Sequence, residues 1–198
     1  SLGLQSDVTL AEVIEGKAKL DDAQLEARDN LFVVAGGHNL AGVKRLISRR
    51  DMRSEMVLTE TLNGLNGYDF ILLDTAPSWD VLNVNCLFYT DIVAIPVSME
   101  VLALQGIAHF ITNVEQVQKY RKELDIKWII PTFFDGRVRK SAEILEQLKK
   151  HFGKAVVEPI HYNVRLSEAP GFGQHIFEFS KNSHGAQDYA KLIERIVS

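Results

Sequence analysis

The chain lacks the cysteines needed for a disulfide or a cysteine-based metal site. Its 198 residues contain one cysteine, Cys86, which excludes an internal disulfide, a CxxC zinc knuckle and a four-cysteine iron–sulfur cluster within the chain. The six histidines show no HxxxH or HExxH spacing, so they do not indicate a zinc site. A single cysteine fits the reducing cytoplasm, and we expect the protein there.

The sequence also lacks long apolar runs and an excess of positive charge. No stretch reaches the ~18 consecutive apolar residues of a membrane span. Lys and Arg total 22 against 26 Asp and Glu, which argues against a surface that is basic overall but allows a local basic patch. No Pro/Gly/Ser linker or internal repeat divides the chain, so we predict one domain over residues 1–198.

Short apolar runs alternate with amphipathic segments along the whole chain. The predicted strands, rich in β-branched and aromatic residues, are residues 31–34, 70–73, 92–97, 128–130 and 155–157. The predicted helical stripes are residues 40–47, 104–117, 144–148 and 189–196. Because these strands lack polar alternation, we expect burial on both faces. The pattern predicts a doubly wound α/β fold, a mainly parallel sheet with helices on both faces.

An acidic residue, Asp74, ends one of these apolar runs in the stretch YDFILLDTAPSWD. An ionised carboxylate is costly to remove from water unless something pairs with it. Asp74 therefore either binds an ion beyond the end of a strand, where ligands of such folds lie, or caps the turn before Pro77. Aspartate is a common turn residue, and the local pattern alone favours the turn.

The sequence contains no phosphate-binding loop of the form GxxxxGK[ST]. Its nearest approach is AGGHNLAGVK, where Val43 intrudes before Lys44 and Arg45 replaces the hydroxyl that would bind magnesium. A strand-to-helix turn can attract an anion, but such glycine-rich turns commonly hold no ligand. We predict that this stretch is not a working phosphate loop.

Basic residues concentrate just after this turn, on one predicted helix and its C-terminal extension. They are Lys44, Arg45, Arg49, Arg50 and Arg53. Such runs are usually solvated faces, and the alternative is contact with DNA or a partner. The C-terminal segment AKLIERIVS has one Lys, one Arg and an apolar stripe, so we expect it to pack on the sheet and expect no membrane partner.

Three longer segments, YDFILLDTAPSWDVLNVN, DIVAIPVSMEVLALQGI and HYNVRLSEAPGFGQHI, resemble the ParA/Soj family of partition ATPases. That family is a deviant-Walker branch of the P-loop NTPases, and the likeness extends over nearly the whole chain. The resemblance implies ATP and Mg²⁺ as cofactors and a homodimer that forms with nucleotide. It also implies a ParB-type partner, non-specific DNA binding and a location at the nucleoid.

The resemblance assigns nucleotide-binding roles to three residues. Asp74 would be the Walker B carboxylate, which holds the Mg²⁺ of ATP through water, and Mg²⁺ does keep most of its waters in proteins. Thr132 resembles the residue beside the base, and Asn163 begins a loop that lies near the adenine in the family. Residues 135–137 resemble a family Asp-x-Arg segment. The family usually has proline where this chain has His161, so its base contact differs in detail.

Two basic residues are candidates for DNA binding by resemblance. Arg165, in NVRLSEAP, matches a position implicated in non-specific DNA binding, and arginine suits phosphate because it offers paired donors. The alternative is a surface ion pair with Glu168, three residues on. Lys181 is the second candidate. The basic residue that the family has before Gly-Ala is His184 here, and a mostly neutral histidine predicts weaker DNA binding.

The family's ATP-binding lysines, magnesium-binding hydroxyl and water-orienting aspartate lie outside the region that this chain resembles. Its opening Ser-Leu-Gly-Leu resembles the sequence just after the family's Asp-Pro-Gln-Gly element, so we expect a ParA-like domain that is incomplete at its N-terminus. We therefore assign no catalytic residue and predict that the 198 residues do not hydrolyse ATP alone. The family's first strand lies beside the Walker B strand, so residues 68–73 should expose unpaired backbone groups. The alternative function is a non-enzymatic paralogue that binds DNA or protein.

Overall fold

The computed structural model describes residues 2–198, apart from the side chains of Val101 and Leu102, and forms two units. The N-terminal unit comprises Leu4–Asp91, and the C-terminal unit comprises Ile92–Ser198 together with residues 2 and 3. Both units combine helices with strands, and the strands of the C-terminal unit run parallel. The predicted α/β class is confirmed.

The N-terminal unit contains short helices and one antiparallel hairpin. Its elements are α1 (Leu10–Ile14), α2 (Leu20–Ala23), β1 (Gln24–Arg28), β2 (Leu31–Val34), α3 (Leu40–Ser48), a 3-10 turn (Ser54–Met56), α4 (Val57–Thr61) and α5 (Val81–Tyr89). Asn30, in the turn between β1 and β2, has φ +59°. Asparagine tolerates this left-handed conformation and is favoured in tight hairpins. The predicted strand 31–34 is confirmed, with an antiparallel partner.

A buried asparagine on α5 ties together three segments of this unit. The Asn85 side-chain oxygen accepts a hydrogen bond from the Leu58 N–H at 3.0 Å. Its Nδ2 donates to the carbonyls of Ser54 at 2.9 Å and Val81 at 2.8 Å. The side chain is fully buried, and these bonds leave neither end of the amide unpaired. A separate apolar cluster comprises Ala11, Val43, Ile47 and Val57.

Residues 69–76 form no regular secondary structure, so the predicted strand at 70–73 is wrong. No backbone–backbone hydrogen bond joins this segment to the rest of residues 2–198, and Leu72 is 90% exposed. A strand exists through hydrogen bonds to a neighbour, which apolar composition alone does not supply. The backbone groups of this segment are unpaired with other backbone groups, as expected, but the segment is irregular and not a strand.

The C-terminal unit contains two paired strands and the longer helices. Its elements are β3 (Ile92–Ser98), α6 (Val101–Gln118), β4 (Asp125–Thr132), α7 (Arg139–Phe152), a 3-10 turn (Gly153–Ala155), α8 (Val164–Glu168), a second 3-10 turn (Ala169–Phe172), α9 (Ile176–Phe179) and α10 (His184–Val197). The four predicted helical stripes lie in α3, α6, α7 and α10, and are confirmed. Within residues 2–198, no helix has the length and hydropathy of a membrane span.

Strands β3 and β4 pair in parallel, and a third segment follows β4. The Val157 N–H donates to the Ile129 carbonyl at 3.0 Å, and the Ile160 N–H donates to the Pro131 carbonyl at 2.8 Å. Val156 forms a parallel bridge to β4, whereas residue 155 belongs to a 3-10 turn. The predicted strand 155–157 is thus a short parallel contact that starts later and forms no full strand.

Strand β3 is buried on one face only. Val93, Ile95 and Val97 are buried, and the residues between them are exposed. Two-sided burial is therefore wrong for β3, although four consecutive residues of β4 are buried. Pro96 lacks an N–H and fits a strand with one unpaired edge, and β4 is the one strand paired with β3 in the described part of the chain.

Helix α10 packs against β4 and the segment that follows it. Leu192 belongs to a buried cluster with Trp128 and Ile130, and Tyr189 and Ile196 pack against that cluster. Burial of these apolar side chains removes them from water, which is the main favourable contribution to folding. The expectation that the C-terminal segment packs on the sheet is confirmed.

Candidate functional site

Asp74 lies in the N-terminal unit with its side chain exposed. No hydrogen bond or ion pair joins its carboxylate to any of residues 2–198. Asp80, by contrast, caps the N-terminus of α5, where it accepts hydrogen bonds from the N–H groups of Leu82 at 2.9 Å and Asn83 at 3.3 Å. Asp74 therefore makes no capping contact with the turn before Pro77, and the capping aspartate of this segment acts on α5 instead.

Asp80 is also paired with a lysine from α3. The Lys44 ammonium lies 2.5 Å from the Asp80 carboxylate, which also accepts a hydrogen bond from Ser78 at 3.0 Å. Burial by itself would raise the pKa of the Asp80 carboxyl, but the hydrogen bonds from Lys44 and the nearby donors lower it below its ordinary value. Asp80 is thus ionised and engaged, whereas Asp74 is open to a ligand.

The glycine-rich turn before α3 holds a carboxylate of the protein itself. Glu12 accepts hydrogen bonds from the Thr9 side chain, from the Thr9 N–H at 2.9 Å and from Asn39 at 3.0 Å. The Thr9 and Asn39 side chains lower the pKa of Glu12 to about 2. Gly37 has φ +82°, and a Cβ there would collide with Thr9. A fixed negative charge at this turn opposes phosphate binding, which supports the prediction that it is not a phosphate loop.

In the C-terminal unit, polar and aromatic groups collect at the carboxyl ends of the parallel segments. Thr132 pairs with Ser98 at the ends of β4 and β3. Phe133 follows directly, with φ +55° and a ring that is 60% exposed. A bulky residue in the left-handed region is strained, and such strain concentrates at functional sites. This edge is where ligands of parallel α/β folds bind.

An aspartate–arginine chelate follows at the same edge. The Asp135 carboxylate accepts hydrogen bonds from Arg137 Nε at 2.9 Å, from its Nη2 at 2.7 Å and from its backbone N–H at 3.0 Å. These bonds, from the side chain first, lower the pKa of Asp135 to about 2. The Asp-x-Arg segment noted in the sequence is therefore a closed, ionised turn.

Asn163 and His161 lie on the adjacent segment of this edge. The Asn163 side chain accepts a hydrogen bond from the Arg165 N–H at 2.9 Å and caps α8. His161 Nδ1 and its backbone N–H each lie 2.9 Å from the Asp188 carboxylate of α10. The His161 ring stands edge-on to Phe134, with centroids 5.3 Å apart. Where the family has proline, this chain thus has a histidine oriented by an acid.

Backbone hydrogen bonds bring the segments of Thr132 and Asn163 together. The Phe134 N–H donates to the Ile160 carbonyl at 3.1 Å, and the Tyr162 N–H donates to the Phe134 carbonyl at 2.9 Å. The two predicted base-side residues therefore share one edge of the C-terminal unit. Asp74 belongs to the N-terminal unit.

The two DNA-binding candidates differ in their surroundings. Arg165 forms an ion pair with Glu168, in which Nη1 lies 2.9 Å from Oε2. The surface ion pair that is the alternative to DNA binding is therefore present in the structure. Lys181 is exposed beyond the end of α9, and no acid among the described residues pairs with it. His184 is exposed at the start of α10.

Sequence reasoning missed Phe133 and Asp188. One feature of the sequence could have indicated Phe133, namely a large apolar residue directly after Thr132 at the end of a strand. No local feature indicates Asp188, because its contact with His161 joins residues 27 positions apart. Neither role follows from local spacing.

Asp74 has the features of a water-mediated magnesium ligand. It is an exposed carboxylate with no competing donor, and Mg²⁺ takes one or two carboxylates while keeping several waters. No group of three or more His, Cys, Asp or Glu residues that could enclose a metal occurs in the part of the chain that the structure describes. Asp74, a single exposed carboxylate, therefore fits a magnesium ion that keeps most of its waters.

Comparison with known sequences finds a matching family model and matching partition proteins. A family model described as an AAA domain matches residues 2–126. The chromosome partitioning protein ParA of Caulobacter vibrioides is 30% identical over 98% of this chain and 74% of its own length. The chromosome-partitioning ATPase Soj of Treponema pallidum is 33% identical over 100% of this chain and 79% of its own length.

Comparison with solved structures shows the same fold. Cobyrinic acid a,c-diamide synthase from Mycobacterium smegmatis, solved with an ATP analogue and magnesium, superposes with a TM-score of 0.81 at 24% identity. The match covers 99% of this chain and 75% of that one. A plasmid partition protein from Borrelia burgdorferi gives a TM-score of 0.75 at 22% identity, over 99% and 75% of the two chains.

Proposed function

Because the chain belongs to the ParA/Soj family of partition ATPases, we propose that it is a chromosome or plasmid partition protein that works with Mg-ATP. Its relatives over nearly the full chain are partition proteins. The observation that carries the proposal is Asp74, an exposed carboxylate without a partner among the described residues, in a segment that resembles the family's Walker B element. The proposed setting is the cytoplasm, at the nucleoid.

We propose a distinct role in nucleotide binding for each residue within its own unit. Asp74 holds Mg²⁺ through water, and the ion neutralises phosphate charge when bound. Thr132 and Asn163 flank the base, and Phe133 offers an exposed ring beside them. The shared edge of the parallel segments and the strained Phe133 support this assignment of the base side.

We further propose that the phosphate-binding residues lie outside the 198 residues. The chain contains no GxxxxGK[ST] sequence, and its nearest substitute holds the Glu12 carboxylate. Phosphoryl transfer depends on positioning and on charge stabilisation by such residues. The chain by itself should therefore not turn over ATP.

Steady-state ATP hydrolysis tests this proposal in the 198-residue chain and in the product of its complete reading frame. We expect turnover from the complete product alone, lost in Asp74→Asn and kept in the neighbouring control Asp69→Asn. Turnover by the 198-residue chain that Asp74→Asn abolishes would contradict the account. A complete product without turnover would favour the non-enzymatic binding module.

The same proposal includes non-specific DNA binding by Arg165 and Lys181, a nucleotide-dependent homodimer and a ParB-type partner. Both side chains are exposed cations, and Arg165 can exchange Glu168 for a phosphate because surface ion pairs are weak. Mobility-shift titration with Mg-ATP present should show weaker binding by Arg165→Gln and Lys181→Gln. Equal DNA affinity of the unsubstituted protein and of both variants would exclude Arg165 and Lys181 from the DNA site.

A further inference from the structure

Helix α3 carries its cations on a face that does not pack in the core. Val43 and Ile47 are the buried residues of α3 and contact the apolar cluster of the N-terminal unit. Arg45 and Arg49 are exposed. They are four residues apart and therefore lie on one side of the helix, separated by about 6 Å along its axis.

Three of the five basic residues between positions 44 and 53 are already paired with acids. Lys44 contacts Asp80 at 2.5 Å, and Arg50 and Arg53 contact Glu60 at 2.8 Å and 3.8 Å. Acidic side chains of the protein itself therefore neutralise part of the charge of the basic run. The positive charge that remains unpaired is that of two residues, Arg45 and Arg49.

Arg45 and Arg49 have no acidic partner among residues 2–198. Cations are favoured in the last turn of a helix, but the helix dipole supplies only about half an elementary charge. Two guanidinium groups therefore keep most of their charge at the surface. Guanidinium forms paired hydrogen bonds with phosphate, and this makes an anionic phosphate ligand the best chemical match.

We propose that Arg45 and Arg49 bind phosphates of a DNA backbone and form a second DNA contact, on the N-terminal unit. The inference rests on the proposed DNA-binding function, because it adds residues for the same ligand. DNA carries a charge every ~3.4 Å along each strand, so each arginine can meet a phosphate. A membrane surface fits less well, because the exposed side of this nine-residue helix offers one large apolar residue, the half-exposed Leu46.

The salt dependence of DNA affinity tests the inference. The test protein is Arg45→Gln/Arg49→Gln. Its matched control is Lys149→Gln/Lys150→Gln, which removes two exposed cations from the last turn of α7. Each lost phosphate contact should reduce the slope of log K against log salt by about 0.9, so the test protein should lose about 1.8. The control should keep the slope, and so should Arg45→Lys/Arg49→Lys.

The outcomes separate this inference from the proposed function. An unchanged slope in Arg45→Gln/Arg49→Gln, beside a reduced slope in Arg165→Gln, overturns only the α3 contact. An equal loss in the Lys149→Gln/Lys150→Gln control also overturns it, because net charge would then be the cause. No binding by the unsubstituted protein overturns both. Binding to phosphatidylserine vesicles that needs Arg45 and Arg49, with DNA affinity unchanged, assigns the surface to lipid. Circular dichroism melts verify that the variants fold.

Discussion

At the scale of single residues, Asp74 and Asp80 show how different two aspartates of one short turn can be. Asp80 caps α5 and pairs with Lys44, whereas Asp74 is exposed without a partner. Family resemblance singled out Asp74 from the sequence. The role of Asp80 was not predictable, because Lys44 lies 36 positions away and local spacing does not reveal that contact.

Phe133 should be replaceable by glycine with a gain in stability. Its φ of +55° is unfavourable for a residue with a Cβ, and its ring is mostly exposed. We expect Phe133→Gly to raise the free energy of unfolding by about 1 kcal/mol in urea titrations. Phe172→Gly is the control, since that exposed ring stacks on Phe179 in a 3-10 turn, and it should lose stability. A comparable loss of stability in Phe133→Gly would contradict the claim that the left-handed backbone at Phe133 is strained.

Asp135 should contribute to stability in a defined pH range. Its folded pKa of about 2 lies below its ordinary value of 3.8, so its contribution is present above about pH 4 and disappears as pH falls toward 2. Asp135→Asn should remove this part of the pH dependence. NMR titration of the carboxyl carbon should show a midpoint near 2, which rises in Arg137→Gln. An ordinary midpoint in the unsubstituted protein would exclude the chelate in solution.

At the scale of elements, α5 depends on one buried amide. Asn85→Ala would leave the Leu58 N–H and the carbonyls of Ser54 and Val81 without this partner. Each unsatisfied buried group costs ~1–3 kcal/mol, so we expect at least about 2 kcal/mol of lost stability in chemical denaturation. Asn66→Ala, at an exposed site with one hydrogen bond, should change it by less than about 0.5 kcal/mol. Equal losses of stability in Asn85→Ala and Asn66→Ala would contradict the role of the Asn85 side chain in stabilising α5.

The segment 69–76 should promote self-association of the 198-residue chain. It is mostly apolar and mostly exposed, and its backbone groups form no hydrogen bond to the backbone elsewhere in residues 2–198, which are the properties of an association-prone edge. Leu72→Lys should lower the associated fraction in sedimentation velocity. Met52→Lys, at another side chain that is 77% exposed, serves as the control and should not. Association that persists unchanged in Leu72→Lys would exclude this segment.

Helices were more predictable from the sequence than strands. The stripes of α3, α6, α7 and α10 are local properties, since residues three and four apart share one helix face. The run 70–73 has strand composition but no strand, because pairing depends on a distant segment. The hairpin partner β1 was missed for a related reason, since its polar sequence QLEAR is ordered by pairing with β2.

At the scale of the whole molecule, the family was predictable and the assembly was not. Three segments sufficed for the ParA/Soj assignment, which relatives matching 98% or more of the chain confirm. Thr132 and Asn163 were placed by resemblance, and the structure brings their segments to one edge. The ParB-type partner and the DNA contacts stay predictions, because they form with other molecules. The single-domain prediction also stays a prediction.

The magnesium dependence of nucleotide affinity tests the central claim most directly. Fluorescent ATP binding to the product of the complete reading frame would be titrated with Mg²⁺ and with EDTA, for the unsubstituted protein, Asp74→Asn and Asp69→Asn. We predict that Mg²⁺ strengthens binding by about tenfold or more in the unsubstituted protein and Asp69→Asn, but not in Asp74→Asn. Full magnesium dependence in Asp74→Asn would contradict the account.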